Sequence, residues 1–284
     1  MYKTIISCDT TCAIYGKERE DLGIYVIPLN VIVNGEEKLD GISINHEQLC
    51  KDMRGGAKIS TSTPSPVEIE NYFDKILKEN PDVDKIIHFT ISSKLSSMYS
   101  LFKTTCEEKY GDKIIVFDTL AVCSFMGNIV KYAVKLNKEG KSPEEIIKGV
   151  QSRMGQSEIY FIPESLEFLK RGGRVSPAVA AIGNLLGIKP VLKFTEETGV
   201  DKEGTTRTTK KAYLNALEKF SHRPNLENYE LHLIEFDSMK LCKEIEEAAK
   251  EFLPNMPVKI TPMSINVCAH AGPGTVGLGI CLKV

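Results

Sequence analysis

The stretch KIIHFTISSKLSSMYSLFKTTCEEK, residues 85–109, carries the reading of the fold. It opens with a short apolar run, Lys85–Phe89, and passes through the hydroxyl-rich turn Thr90-Ile91-Ser92-Ser93-Lys94-Leu95-Ser96-Ser97. It then enters a periodic segment over Tyr99–Lys109. A short apolar run bounded by turn residues reads as a buried strand, and apolar residues every three to four positions read as a helix. The same order recurs on both sides. Lys3–Ser7, Gly23–Val33 and Ile114–Phe117 read as strands. Pro66–Lys78, with Val67, Ile69, Phe73, Ile76 and Leu77 on one stripe, and Phe125–Lys138 read as helices. Strand-then-helix repetition predicts an α/β unit with a mostly parallel, Rossmann-like sheet covered on both faces. Ligands of such sheets sit at the carboxyl ends of the strands.

Ser142-Pro143-Glu144-Glu145 has a serine cap, a proline in the first turn and acids at the positive end of the helix dipole. The helix it opens runs to about Met154, which divides the chain into domains 1–155 and 156–284. The second half reads differently. Strand-like runs at Ile159–Ile162, Lys189–Phe194, Glu230–Phe236, Val258–Val267 and Leu278–Val284 mix with helices near Thr208–Phe220 and Ser238–Phe252. A returning last strand predicts a mixed or antiparallel α+β domain.

The chain has 284 residues, natural for two domains. Its 36 basic and 38 acidic residues nearly cancel, which argues against a nucleic-acid footprint. No stretch approaches the roughly 20 apolar residues of a membrane span. Ile5-Ile6-Ser7-Cys8 resembles a lipoprotein cleavage box but lacks the apolar region before it. A cytoplasmic location is expected. The eight cysteines are scattered, with only Cys8 and Cys12 close, so free thiols rather than a metal site are expected. Gly272-Pro273-Gly274-Thr275-Val276-Gly277 matches G-x-G-x-x-G, yet it stands at the chain end before a strand instead of opening a helix. No cofactor and no metal are expected, and no P-loop, nucleophile elbow or H-E-x-x-H motif is present.

Two hydroxyl clusters are the candidate ligand contacts: Ser60-Thr61-Ser62-Thr63-Pro64-Ser65, and the turn over residues 90–97. Both are expected at strand-to-helix turns of one sheet, where free N–H groups and hydroxyls suit a carboxylate or phosphate. Helix capping is the plainer alternative, compatible with binding. His270, expected at the end of an apolar strand and before a glycine turn, is the favoured functional histidine; His46, His88, His222 and His232 read as structural. Lys170-Arg171-Gly172-Gly173-Arg174 could bind an anion or form a solvated turn.

Taken together these motifs resemble the DegV family. The resemblance rests on Thr61-Ser62-x-Pro64-Ser65, Ile91-Ser92-Ser93-x-Leu95-Ser96, Leu169-Lys170-x-Gly172-Gly173-Arg174, Gly187-Ile188-Lys189-Pro190, Arg207-Thr208-x-Lys210-Lys211-Ala212 and His270-x-Gly272-Pro273-Gly274. They occur in family order across essentially the whole chain. The resemblance implies two α/β domains with a ligand tunnel between them, holding a long-chain fatty acid. It implies a non-catalytic subunit that presents the carboxylate to a separate fatty acid kinase and carries the acyl-phosphate. Thr61, Ser93 and His270, with Ser62 and Ser97 beside them, are the implied carboxylate contacts. Arg174 and Arg207 are implied for kinase docking or phosphoryl contact. The sequence departs from the family at Ser96-Ser97-Met98, where Ser-Gly-Thr is usual, and at Cys268-Ala269 before the histidine. The rival readings are a Ser/His-dependent hydrolase or phosphotransferase, which needs a group orienting His270, and a kinase-independent lipid carrier or sensor.

Overall fold

The computed structural model describes residues 2–180 and 188–284; Gly187 of the Gly-Ile-Lys-Pro motif lies outside them. The first half contains β1 (Thr4–Asp9), α1 (Gly16–Leu22), β2 (Tyr25–Ile27), β3 (Asn30–Val33), β4 (Glu36–Leu39), α2 (His46–Arg54) and β5 (Ile59–Ser62). It continues through α3 (Pro66–Glu79), β6 (Lys85–Thr90), α4 (Met98–Tyr110), β7 (Ile114–Asp118), α5 (Cys123–Lys138) and α6 (Pro143–Gln151). Four strands pair in parallel in the order β2-β1-β6-β7, as strand-then-helix repetition requires. β6 is buried on both faces from Ile86 to Thr90. Its His88 accordingly lies fully buried, with Nδ1 2.8 Å from the Ser7 hydroxyl and the ring stacked on Phe102 at 4.5 Å. Burial pushes His88 down to about 3.

Three expectations for this half are corrected. Gly23–Val33 is not one strand, because Pro28 breaks it. β2 ends at Ile27 in the parallel sheet, and β3 joins a separate antiparallel sheet of order β4-β3-β5. Thr61 and Ser62 therefore lie within β5, opposite Val31 and Asn30, and not in a turn of the parallel sheet. Val67 is 63% exposed while Ile69, Phe73 and Ile76 are buried. Two residues before Ile69 is about 200° around a helix, so Val67 faces solvent. Ser65 and Ser142 both close capping boxes, with Glu68 and Glu145.

The second half contains β8 (Glu158–Ile162), α7 (Glu167–Gly172), α8 (Pro177–Ala180), β9 (Lys189–Thr195), β10 (Gly199–Thr206), α9 (Thr209–Ser221), β11 (Tyr229–Phe236), α10 (Met239–Phe252), β12 (Val258–Pro262), α11 (Ile265–Ala271) and β13 (Thr275–Leu282). Six strands form a mixed sheet in the order β10-β9-β8-β13-β11-β12, antiparallel except for the β11–β12 pair. Here Val258–Val267 is not one strand. β12 stops at Pro262, and Ser264 caps α11 by accepting the Val267 N–H at 3.3 Å. His270 thus sits in the last turn of a helix. β10, whose sequence GVDKEGTT is largely polar, is an edge strand that apolar patterning does not reveal.

One face of the six-stranded sheet carries Ile159, Phe161, Leu192 and Phe194 into a core shared with the first half. The other face carries Tyr160, Ile162 and Val191 into a second core, together with residues of α9 and α10. The approach of α5 to β13 demands glycine at 279, since a Cβ there would meet the Phe125 ring at 2.7 Å and the Glu158 carbonyl at 2.3 Å. Beside it, Asn128 of α5 donates to Glu230 at 3.2 Å, and Ser124 meets His232 Nδ1 at 2.9 Å. Glu230, His232 and Cys281 converge there, but the Lys259 ammonium lies 2.8 Å from both carboxylate oxygens and already balances the charge.

Candidate functional site

Between the two halves lies a cavity with about 870 Å³ of empty volume, counting its open mouth. Its walls are apolar, with Leu29, Ile91, Met98 and Val122 from the first half and Phe161, Leu192 and Val200 from β8, β9 and β10. One group of lining residues is polar: Thr61, Ser62, Thr63, Ser96, Asn266, His270 and Arg174.

The polar group is assembled across the two halves. Thr61 Oγ1 of β5 lies 2.8 Å from Nε2 of His270 on α11. The ring rests on α7, where a Cβ at Gly172 would fall 2.4 Å from His270 Nδ1; only glycine admits the ring in this position. Gly272 ends α11 at φ +83°, a left-handed value that a β-carbon would strain and that Phe168 leaves no room for. Burial, with the Arg174 guanidinium second, pushes His270 down to about 4, so the imidazole is neutral at pH 7. Arg174 is the one cation among the described lining residues. It is exposed, and its guanidinium donates to the Gly172 carbonyl.

The first half holds α11 in place. The Met263 carbonyl bonds His46 Nε2 at 2.6 Å, the Asn266 N–H donates to Asp40 at 3.1 Å, and the Ile265 N–H donates to the Tyr15 hydroxyl at 3.3 Å. Asp40 is 1% exposed, and burial pushes its carboxyl up to about 7. Asp9 acts in a similar way at the other wall. It accepts the Thr11 N–H at 2.8 Å and the Ile91 N–H at 3.0 Å, fixing two lining residues at the carboxyl ends of β1 and β6.

Thr61, Ser62, His270 and Arg174 are thus brought together. Ser93 and Ser97 are not brought to the wall. The turn before α4 is pinned by the Ser92 N–H to the Ala121 carbonyl at 3.0 Å and the Ser93 N–H to Asp118 at 3.1 Å. That leaves Ser93 and Ser97 exposed, with Ser96 lining the cavity instead. Arg207 is exposed between β10 and α9, outside the lining. Sequence reasoning missed Thr11 and Asn266, and it placed Ser96 in a candidate turn without singling it out. Asp9-Thr10 at the carboxyl end of β1 is the signal that could have found the first of these.

A family model described as an uncharacterised protein of the DegV family matches residues 3–283. The chain belongs to the DegV family. A DegV domain-containing protein of Clostridium perfringens is 31% identical over 279 residues, 95% of each chain. Two solved DegV structures superpose along the whole chain. One, a fatty-acid-binding DegV family protein from Thermus thermophilus, has a TM-score of 0.87 at 26% identity, covering 99% of both chains. The other is DegV, a fatty acid binding protein from Bacillus subtilis, with a TM-score of 0.85 at 26% identity, covering 100% of both. The DegV fold, a parallel sheet followed by a mixed sheet in a second domain, is therefore the fold of this chain.

Proposed function

We propose that this DegV protein binds a long-chain fatty acid in the interdomain cavity and presents its carboxylate to a separate, ATP-using fatty acid kinase in the cytoplasm. The observation that carries the reading is an apolar cavity with Thr61 and His270 in contact among its polar residues and Arg174 beside them. Fatty acid binding by the relatives from Thermus thermophilus and Bacillus subtilis supports it. Burying roughly 15 methylenes at about 0.8 kcal/mol each contributes a gross term of about 12 kcal/mol. Ordering the chain removes several of these. Affinity then comes from the apolar walls, and orientation from Thr61, Ser62 and His270, with Ser96 nearer the head group than Ser93 or Ser97. A neutral imidazole and hydroxyls leave the carboxylate only partly neutralised and open to a phosphoryl donor. Arg174 and Arg207, both exposed, are the proposed partner-facing cations.

A substrate-presenting role is favoured over hydrolysis because, among the described residues, His270 has a hydroxyl partner and no carboxylate to orient it. The test is native mass spectrometry of the purified protein. A copurifying fatty acid, and a melting temperature that rises on adding palmitate, are expected. An empty protein whose melting temperature ignores palmitate refutes the proposal. Retained binding with no phosphorylation by any fatty acid kinase would favour the carrier reading.

A further inference from the structure

The strands that wall the cavity continue past it. The cross-strand pair Phe161–Leu192 lines the cavity, and the next pair on the same face, Ile159–Phe194, lines a second cleft. The opposite wall steps in the same way, with Val122 on the cavity and Leu120 and Ala121 on the second cleft. One such step is two strand residues, roughly 7 Å. The clefts share no lining residue, so a seam of packed apolar side chains stands between them. The second cleft has about 950 Å³ of empty volume counting its mouth. Its floor is Leu120, Ile129, Ile159 and Phe194, while half-buried Arg153 and Glu196 form a polar rim.

We propose that this second cleft is the far end of the ligand site: chains too long for the cavity cross the seam, and their terminal carbons lie on the second floor, beneath the polar rim. The inference rests on the fatty-acid reading above. An all-trans chain advances about 1.2 Å per bond, as an extended backbone does, so one step of the wall takes about six carbons. A hydroxyl on the terminal carbon separates the two positions. On a chain confined to the cavity it would be buried against Phe161, Leu192 and Val122 without a partner. On a chain about six carbons longer it reaches charged groups and water.

The experiment titrates the wild-type protein with saturated acids of about twelve to twenty carbons and with their ω-hydroxy counterparts. The ω-hydroxyl should weaken the shorter chains about tenfold, the cost of an unpaired buried hydroxyl. This penalty should vanish over an increase of about six carbons. A penalty that persists to the longest chain overturns the proposal, as does no penalty at any length. Phe194→Leu, a modest volume change on the second floor beside the seam, should raise affinity for the longest acid relative to the shorter ones; an unchanged ratio also counts against it. Failure of the unsubstituted acids to bind at any length would instead overturn the fatty-acid reading and this inference with it.

Discussion

Gly172→Ala tests whether the backbone of α7 sets the ligand head group. The added methyl would sit 2.4 Å from His270 Nδ1, about 1 Å inside ordinary contact. Either α7 or the ring must move, and among the described residues the ring is held by a single hydrogen bond, to Thr61. Two terms oppose each other in stability. Alanine is worth about 0.5–1 kcal/mol over glycine in a helix, while overpacking costs about 1–3 kcal/mol. The variant should therefore be destabilised by no more than about 2.5 kcal/mol. Binding should suffer more, because displacing His270 removes or misaligns one charge-assisted contact to the carboxylate. That contact is worth about 1.5–3 kcal/mol, or about 10- to 150-fold in affinity. Calorimetric titration with palmitate, alongside a urea melt, separates the two effects. A folded Gly172→Ala protein that binds palmitate within twofold of wild type would refute both the packing argument and the head-group assignment.

Thr61→Val keeps the side-chain shape and removes the hydroxyl, so fatty acid affinity should fall about 10- to 150-fold; a fatty alcohol of equal length should bind weakly and be insensitive to the change. Arg207→Ala, outside the cavity, should retain fatty acid and slow phosphorylation by a partner kinase, whereas Arg174→Ala, which lines it, should impair both steps. Equal kinase rates for Arg207→Ala and wild type would remove Arg207 from the partner surface. Burial holds His88 down to about 3, so the unfolded chain takes up this proton first, and stability present above about pH 6.5 is lost as pH falls toward 3. Between pH 7.5 and 5, wild type should lose about 2 kcal/mol relative to His88→Gln. The comparison isolates His88 from Asp9 and Asp40, whose raised values act in the opposite direction, and equal losses would show that His88 is not buried neutral.

The parallel sheet was legible because β1, β6 and β7 are short apolar runs and a periodic helix follows both β6 and β7, a pattern local in sequence. The antiparallel sheet was not. β4, Glu36–Leu39, carries charge, and β5, Ile59–Ser62, is mostly hydroxyl-bearing; both form because β3 offers a ladder. The Thr61–His270 contact spans 209 residues of sequence, and periodicity carries no information at that range. Only the order of motifs hinted that the two belonged together. Ser93 illustrates the opposite limit. A hydroxyl turn identifies a neighbourhood, but whether Ser93 or Ser96 faces inward depends on which N–H groups Ala121 and Asp118 capture. The walls contributed by Phe161, Leu192 and Val200 look like any strand residues until the sheet is packed against the first half.

The anchoring of α11 has a consequence for synthesis. His46, Asp40 and Tyr15 emerge from the ribosome more than 200 residues before the backbone groups they hold at Met263, Asn266 and Ile265. The first half can fold its parallel sheet on the nascent chain, with Thr61 already in place. Yet the imidazole facing Thr61 arrives only with β12 and α11, and such long-range pairings form slowly. The ligand pocket is thus complete only once α11 has emerged, and a ribosome stalled before residue 270 displays a half-built cavity with its apolar wall open to solvent.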